Sequence, residues 1–190
     1  MKARDNPFAS RHVERVRFRL PGLTWEELID RSEVLGHRAA IVGPKGHGKT
    51  TLLDALEPRL RERGFDVLRL RLTEELPRLP RTELVALRAA IIPRHFILLD
   101  GAEQMNWWRW QQFLRIVAPA AGMLITTHRA GRLPTLIQCE TSPLLLETVV
   151  DELLPQPLLG LPTAGELFHR HRGNLRDALR ELYGRCAALT

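Results

Sequence analysis

Hydrophobic positions along the chain repeat with two periods, and the changes of period fall at turn residues. Between Val13 and Leu20, Val16, Phe18 and Leu20 alternate with Arg15, Arg17 and Arg19, the period of a strand with one wet face. Pro21 and Gly22 then turn the chain. Thr24 followed by Glu27 is a capping-box pattern, after which Trp25, Leu28, Ile29, Ser32 and Leu35 recur at helical spacing up to Gly36. A short apolar strand at 39–42 runs into a glycine-rich turn, and Thr51 to Arg63 carries Leu52, Leu53, Leu56 and Leu60 on one side, with Pro58 expected to bend the helix and Gly64 to end it. Phe65 to Leu72 reads as a second strand, followed by a loop with Glu74, Glu75, Pro77 and Pro80 and an amphipathic helix from Thr82 to Ile92. Phe96 to Asp100 and Met123 to Thr127 are uninterrupted apolar runs of the kind buried in parallel sheets, separated by a helix from Asn106 to Val117. A last strand is expected at Leu136 to Glu140. Beyond Thr141 the pattern is helical, punctuated by Pro143, Pro155, Pro157 and Pro162.

Strands alternating with helices predict an α/β protein: a mostly parallel sheet, helices on both faces, and a small helical C-terminal segment. The expected organisation is a polar N-terminal arm at 1–12, a core at 13–140, and a helical segment at 141–190 that is a candidate lid. Ligands of such sheets bind beyond the carboxyl ends of the strands, where the glycine-rich turn, Asp100, Glu74 and the stretch from Thr126 to His128 fall.

The turn has the spacing of a phosphate-binding loop, with Gly, four free positions, then Gly-Lys-Thr at Gly43, Gly48, Lys49 and Thr50. Average residue usage produces this pattern by accident in a chain of such length on the order of one time in a hundred. Glycines, Gly46 included, let successive amides approach phosphate oxygens, and the helix that follows aims its positive end at the same anion. Lys49 is suited to the β and γ phosphates, and Thr50 to a Mg²⁺ ion. Pro44, Lys45, His47 and Thr51 complete the nucleotide-binding stretch. Lysine occurs only at Lys2, Lys45 and Lys49 among 28 basic residues, so the chain uses arginine elsewhere and keeps lysine where a compact ammonium must fit between phosphates.

A length of 190 residues, 44% hydrophobic and 26% charged, fits one globular domain. No apolar run is long enough to cross a membrane, and MKARDNPFASRH has no apolar signal core, so the expected location is the cytoplasm. Cys139 and Cys186 read as buried free thiols, and the scattered histidines form no metal cluster. The net charge of +6 invites a nucleic-acid partner, although an arginine-rich composition is the simpler explanation. In the helix after Asp100, Trp107, Trp110, Leu114 and Val117 share a face and are expected in the core. Trp108 lies with Gln112 and Arg115 on a more polar side, suited to partial burial or to a partner surface or nucleic-acid base.

GPKGHGKT and FILLDGAE together resemble the Walker A and Walker B motifs of P-loop NTPases, in the additional-strand, catalytic-glutamate branch that includes AAA+, RecA-like and ABC ATPases. The resemblance covers roughly residues 39 to 140. It implies ATP as ligand, Mg²⁺ held by Thr50 and Asp100, and a glutamate that activates water. In AAA+ and ABC proteins that glutamate follows the aspartate directly, where this chain has Gly101. Glu103 is then the first candidate and Glu74, at the RecA-like position, the second. MLITTH resembles the sensor strand, with Thr127 and His128 at its end. The tail, RHRGNLRDALRELYGRC, is similar to the second sensor of AAA+ proteins, which makes Arg176 a candidate γ-phosphate ligand and equally a solvated charge. Asn6 to Phe8 resembles the opening of some bacterial AAA+ ATPases. Arg129 and Arg132 are read as loop arginines, or as an arginine finger or kinase lid. The chain lacks an LSGGQ-like segment and a guanine-specifying motif. The resemblance implies an ATP hydrolase acting with a protein partner or as a homo-oligomer, with a small-molecule kinase and a nucleotide-dependent switch as alternatives.

Overall fold

The computed structural model describes residues 6–155 and 160–188. Residues 1–5 of the expected arm, and Pro157, lie outside the described residues. In chain order the helices are α1 (Ser10–Val13), α2 (Trp25–Val34), α3 (Lys49–Glu62), α4 (Arg81–Ala90), α5 (Trp107–Ile116), α6 (Pro143–Leu153), α7 (Ala164–Arg170) and α8 (Leu175–Ala188). The strands are β1 (Arg38–Val42), β2 (Asp66–Arg71), β3 (His95–Asp100), β4 (Gly122–Thr127) and β5 (Thr135–Gln138). The chain gathers into two compact units. A sheet unit comprises Arg19–Gly43 and Leu52–Gln138, and a helical unit is drawn from Met1–Phe18, Pro44–Thr51 and Cys139–Thr190.

In the sheet unit five strands run in the order β2-β3-β4-β1-β5, and every pair is parallel. Successive side chains of a strand point to opposite faces. Ala40, Val42, Ile97, Leu99, Met123 and Ile125 therefore share one face and pack with Trp110 and Phe113 of α5. Ala39, Ile41, Phe96, Leu98 and Leu124 point the other way and are equally buried, as are Leu28 and Ile29 of α2 and Leu52, Leu53, Leu56 and Leu60 of α3. Burial on both faces is why β3 and β4 read as unbroken apolar runs. The Thr24 capping box forms as the sequence predicts, with Thr24 Oγ1 accepting from the Glu27 amide at 3.2 Å and Glu27 accepting from the Thr24 amide at 2.7 Å. α3 opens at Lys49, two residues before the expected Thr51, and continues past Pro58 to Glu62.

In the helical unit Leu146 and Val149 of α6, Leu167 of α7, and Ala178, Leu179, Leu182 and Cys186 of α8 form a second core. Two expectations near the start of the chain are corrected there. Residues 13–20 form no strand. α1 ends at Val13 and a turn follows, with the Val16 amide donating to the Val13 carbonyl at 3.1 Å, so both valines meet the second core one turn apart. The segment at 6–12 is also more than a polar arm. Asn6 donates to the Tyr183 carbonyl at 2.9 Å and Phe8 is buried among the α6–α8 residues. A single aromatic in a polar stretch has no period from which to predict its burial.

Candidate phosphate-binding site

The carboxyl edge of the sheet gathers the polar residues that its apolar interior excludes. Gly43, just past β1, donates its amide to the Thr127 carbonyl at 3.1 Å. Asp100, at the end of β3, is 6% exposed, and its Oδ1 accepts from Thr126 Oγ1 at 2.6 Å. The same hydroxyl accepts from the Gly101 amide at 2.8 Å. Thr126 thereby fixes both the carboxylate and the turn after it. Arg71 Nε stands 3.9 Å from Asp100 Oδ2.

Gly101 accounts for the departure from the Asp-Glu pattern. Its φ is +86° and a Cβ there would overlap the Leu72 carbonyl oxygen, so a glutamate has neither the backbone conformation nor the space. The chain instead enters a 3₁₀ turn at Ala102–Gln104 carrying Glu103. Glu103 Oε1 lies 3.2 Å from His128 Nε2, and Glu103 Oε2 is buried without a hydrogen-bond partner. Arg132 is drawn inward, donating to the Met105 carbonyl with its guanidinium 5.2 Å from the Trp110 ring centroid. Burial depresses its pKa. The Arg132 guanidinium is thus engaged by the chain's own Met105 carbonyl and Trp110 ring. Thr127 Oγ1 donates to the Arg129 carbonyl at 3.1 Å. Glu74 is exposed in the turn after β2.

The loop at 44–51 belongs to the helical unit. Gly46 and Gly48 have φ of +82° and +78°, left-handed values that a β-carbon disfavours. Lys49 is buried, and its Nζ donates to the Pro44 carbonyl at 2.8 Å, drawing the ammonium across the loop. Pro44 and Lys45 are exposed, while Thr50 and Thr51 are half-buried in the first turn of α3. His47 Nδ1 lies 3.3 Å from the Cys139 carbonyl. A carbonyl only accepts, so Nδ1 carries the proton. Desolvation lowers the His47 pKa, opposed by the Cys139 carbonyl, and burial pushes the Cys139 thiol up to about 11.

Residues from the far end of the sequence meet this loop. Thr141 Oγ1 donates to the Gly173 carbonyl at 2.9 Å and lies 3.5 Å from His47 Nδ1. Asn174 caps α8, accepting from the Asp177 amide at 3.2 Å, and its side chain fills the place a Cβ on Gly46 would take. The Phe18 ring stands 3.2 Å from the corresponding position at Gly48. Arg176, two residues past Asn174, is exposed. Sequence reasoning missed Phe18, Thr126, Thr141 and Asn174 as neighbours of the expected site residues. Only the register, Leu99 opposite Ile125, reveals that Asp100 and Thr126 are side by side.

Among the described residues no group of three His, Cys, Asp or Glu is placed to hold a metal ion, and no helix is long and apolar enough to cross a membrane. Asp100 by itself, a buried carboxylate at the end of β3, suits Mg²⁺, which takes one or two protein ligands and completes its shell with phosphate oxygens and water.

No family model matches the chain. Over 99 residues, 50% of this chain, it is 36% identical to a thymidylate kinase of Geobacillus thermodenitrificans (strain NG80-2), of which the match spans 42%. Its structure is similar to the Thermotoga maritima RuvB Holliday junction branch migration motor, with a TM-score of 0.53 at 15% identity over 84% of this chain and 61% of that one. A RuvB variant from the same organism gives a TM-score of 0.54 at 16% identity over 83% and 58%. The chain thus spans less than two thirds of the length of each of these relatives. With its five parallel strands and a glycine-rich turn leading from β1 into α3, the chain has the α/β fold of the P-loop NTPases.

Proposed function

We propose that the chain binds Mg-ATP through residues 43–51 and hydrolyses its γ-phosphate, acting with a protein partner or as a homo-oligomer. The observation that carries this reading is the loop: two left-handed glycines directly after a buried strand, with Lys49 opening the helix that follows. Lys49 neutralises β and γ phosphate charge, and Thr50 and Asp100 hold the metal. Bound Mg²⁺ supplies charge neutralisation across the two phosphates. Glu103, turned by its contact with His128, orients or deprotonates the attacking water, and the proton passes to its carboxylate. Glu74 is the alternative base. His128 and Arg176 report or stabilise the γ-phosphate. The AAA+-like branch, rather than another branch of the fold, is part of this proposal, as are the cytoplasmic location and the C-terminal segment as a lid over a 13–140 core.

The thymidylate kinase match supports a second reading, a small-molecule kinase that passes the γ-phosphate to a bound acceptor. Incubation with γ-labelled ATP separates the two. Free phosphate that disappears in Lys49→Ala supports hydrolysis, a labelled nucleoside phosphate appearing only with an acceptor supports the kinase, and neither product leaves a nucleotide-dependent switch.

A further inference from the structure

Helices α4 and α5 share an apolar underside, where Leu84 and Leu87 of α4 pack with Trp110, Phe113 and Leu114 of α5. Their outward side is of another character. Trp107 is 59% and Trp108 76% exposed, and their rings meet edge to face with centroids 4.5 Å apart. Adjacent indoles left in water forgo the burial that normally recruits tryptophan, which marks such a patch as a contact surface. Trp108, Gln112 and Arg115 follow one another at helical spacing on this side, and Arg109 is exposed beside them. Asn106 fixes the start of the helix by accepting from the Arg109 amide at 3.0 Å.

The charge of α5 has one sign, and that of the neighbouring α4 is net positive. α5 contains Arg109 and Arg115 and no carboxylate, and α4 adds Arg81 and Arg88 against Glu83. None of the four arginines has an ion-pair partner among the described residues. A second copy docked through the same face would bring the same positive charge to it. A polyanion would not, and flat rings beside free guanidinium groups complement one whose bases are unpaired and available for stacking. We propose that the outward face of α5 binds single-stranded nucleic acid, with Trp107 and Trp108 stacking on bases and Arg109 and Arg115 contacting phosphates. The proposal is independent of the nucleotide reading of the phosphate loop.

The test is fluorescence anisotropy of a labelled oligothymidylate with the full chain carrying Lys49→Ala, so that binding at the phosphate loop does not contribute. Trp108→Ala, and Trp107→Ala separately, should weaken binding about 5-fold to 150-fold for each stacked base. Trp108→Phe, which keeps a ring, should retain most of the affinity. Arg109→Ala and Arg115→Ala should each reduce the slope of log affinity against log salt by about 0.7. All four positions are exposed, and an unchanged far-ultraviolet spectrum verifies folding. Absence of oligothymidylate binding at low salt overturns the proposal, as does binding that these substitutions leave unchanged. So does a tryptophan-dependent preference for an acidic peptide, or for self-association, over the oligonucleotide.

Discussion

Glu103 and His128 meet because Gly101 cannot be anything larger. The left-handed turn after Asp100 displaces the first available carboxylate by two residues, and the pair lies 3.2 Å apart with Glu103 Oε2 buried and unpartnered. A carboxylate oxygen in that condition is costly unless something else engages it, which suits an acceptor for a reacting water. If Glu103 is the base, Glu103→Gln should slow phosphate release about 10²-fold to 10⁴-fold with ATP affinity unchanged, while Glu74→Gln leaves turnover intact. The reverse pattern would move the base to the loop after β2. His47 makes a prediction of a different kind. Desolvation lowers its pKa below the ordinary value near 6.5, so the unfolded chain binds the extra proton first. The stability contributed by neutral His47 is complete above about 6.5 and is lost as pH falls through the folded-state value. A plot of Tm against pH should therefore fall more steeply on the acid side for the native chain than for His47→Gln. Superimposable curves would mean that His47 is not desolvated in solution.

At the scale of elements, the loop and the start of α8 are built against each other. Asn174 occupies the space beside Gly46, so Gly46→Ala meets two obstacles: a left-handed backbone worth about 1–3 kcal/mol of strain and an overlap with Asn174. Asn174→Ala alone loses a helix cap, about 0.5–2 kcal/mol. Combined, the two should destabilise less than the sum of the singles, because removing Asn174 clears the overlap and leaves only the strain. Urea midpoints would show this coupling, and strict additivity would mean that the two residues do not touch. Arg176 stands on the same helix, and the lid proposal has a direct kinetic trace. On that proposal Arg176 would make a bond to the γ-phosphate of about 1.5–3 kcal/mol that ADP cannot make. Arg176→Ala should weaken ATP by roughly 10-fold to 150-fold with little effect on ADP. Equal small effects on both would identify Arg176 as a solvated charge, as its present exposure also permits. The strands were legible for a physical reason: residues 96–99 and 123–125 are buried on both faces of the sheet, where apolar side chains are favoured, and the polar residues come only at the carboxyl ends. Trp107 was misread because helical periodicity counts it with Trp110. It is the first residue of α5, and it is 59% exposed with its ring against Trp108.

For the whole molecule, what the sequence left hidden is adjacency. Nothing in the residues states that β4 lies between β3 and β1, so Thr126 could not be assigned to Asp100. Nothing in the polar opening marks Phe8 for the α6–α8 core, or Asn174 for the phosphate loop. Local chemistry was legible, because a loop that binds phosphate needs glycine, lysine and threonine within eight consecutive positions. The same distinction sets the last prediction. On the proposed function Lys49 acts on the phosphates directly, whereas Asp100 acts through a metal ion. The two kinds of residue should therefore fail differently when ligand binding is read as global stability. A ligand at a hundredfold excess over its dissociation constant stabilises by about 2.7 kcal/mol, and roughly 2–4 °C per kcal/mol for a protein of this size gives a Tm increase of about 5–11 °C with Mg-ATP. Lys49→Ala should abolish most of that increase whether magnesium or EDTA is present. Asp100→Asn should abolish only the portion that magnesium adds to ATP alone, leaving its Tm with ATP and EDTA close to that of the native chain. An increase undiminished in Lys49→Ala would mean that ATP stabilises the protein from somewhere other than the loop. A magnesium-dependent portion that survives in Asp100→Asn would remove Asp100 from the metal and leave Thr50 and the phosphates to hold it.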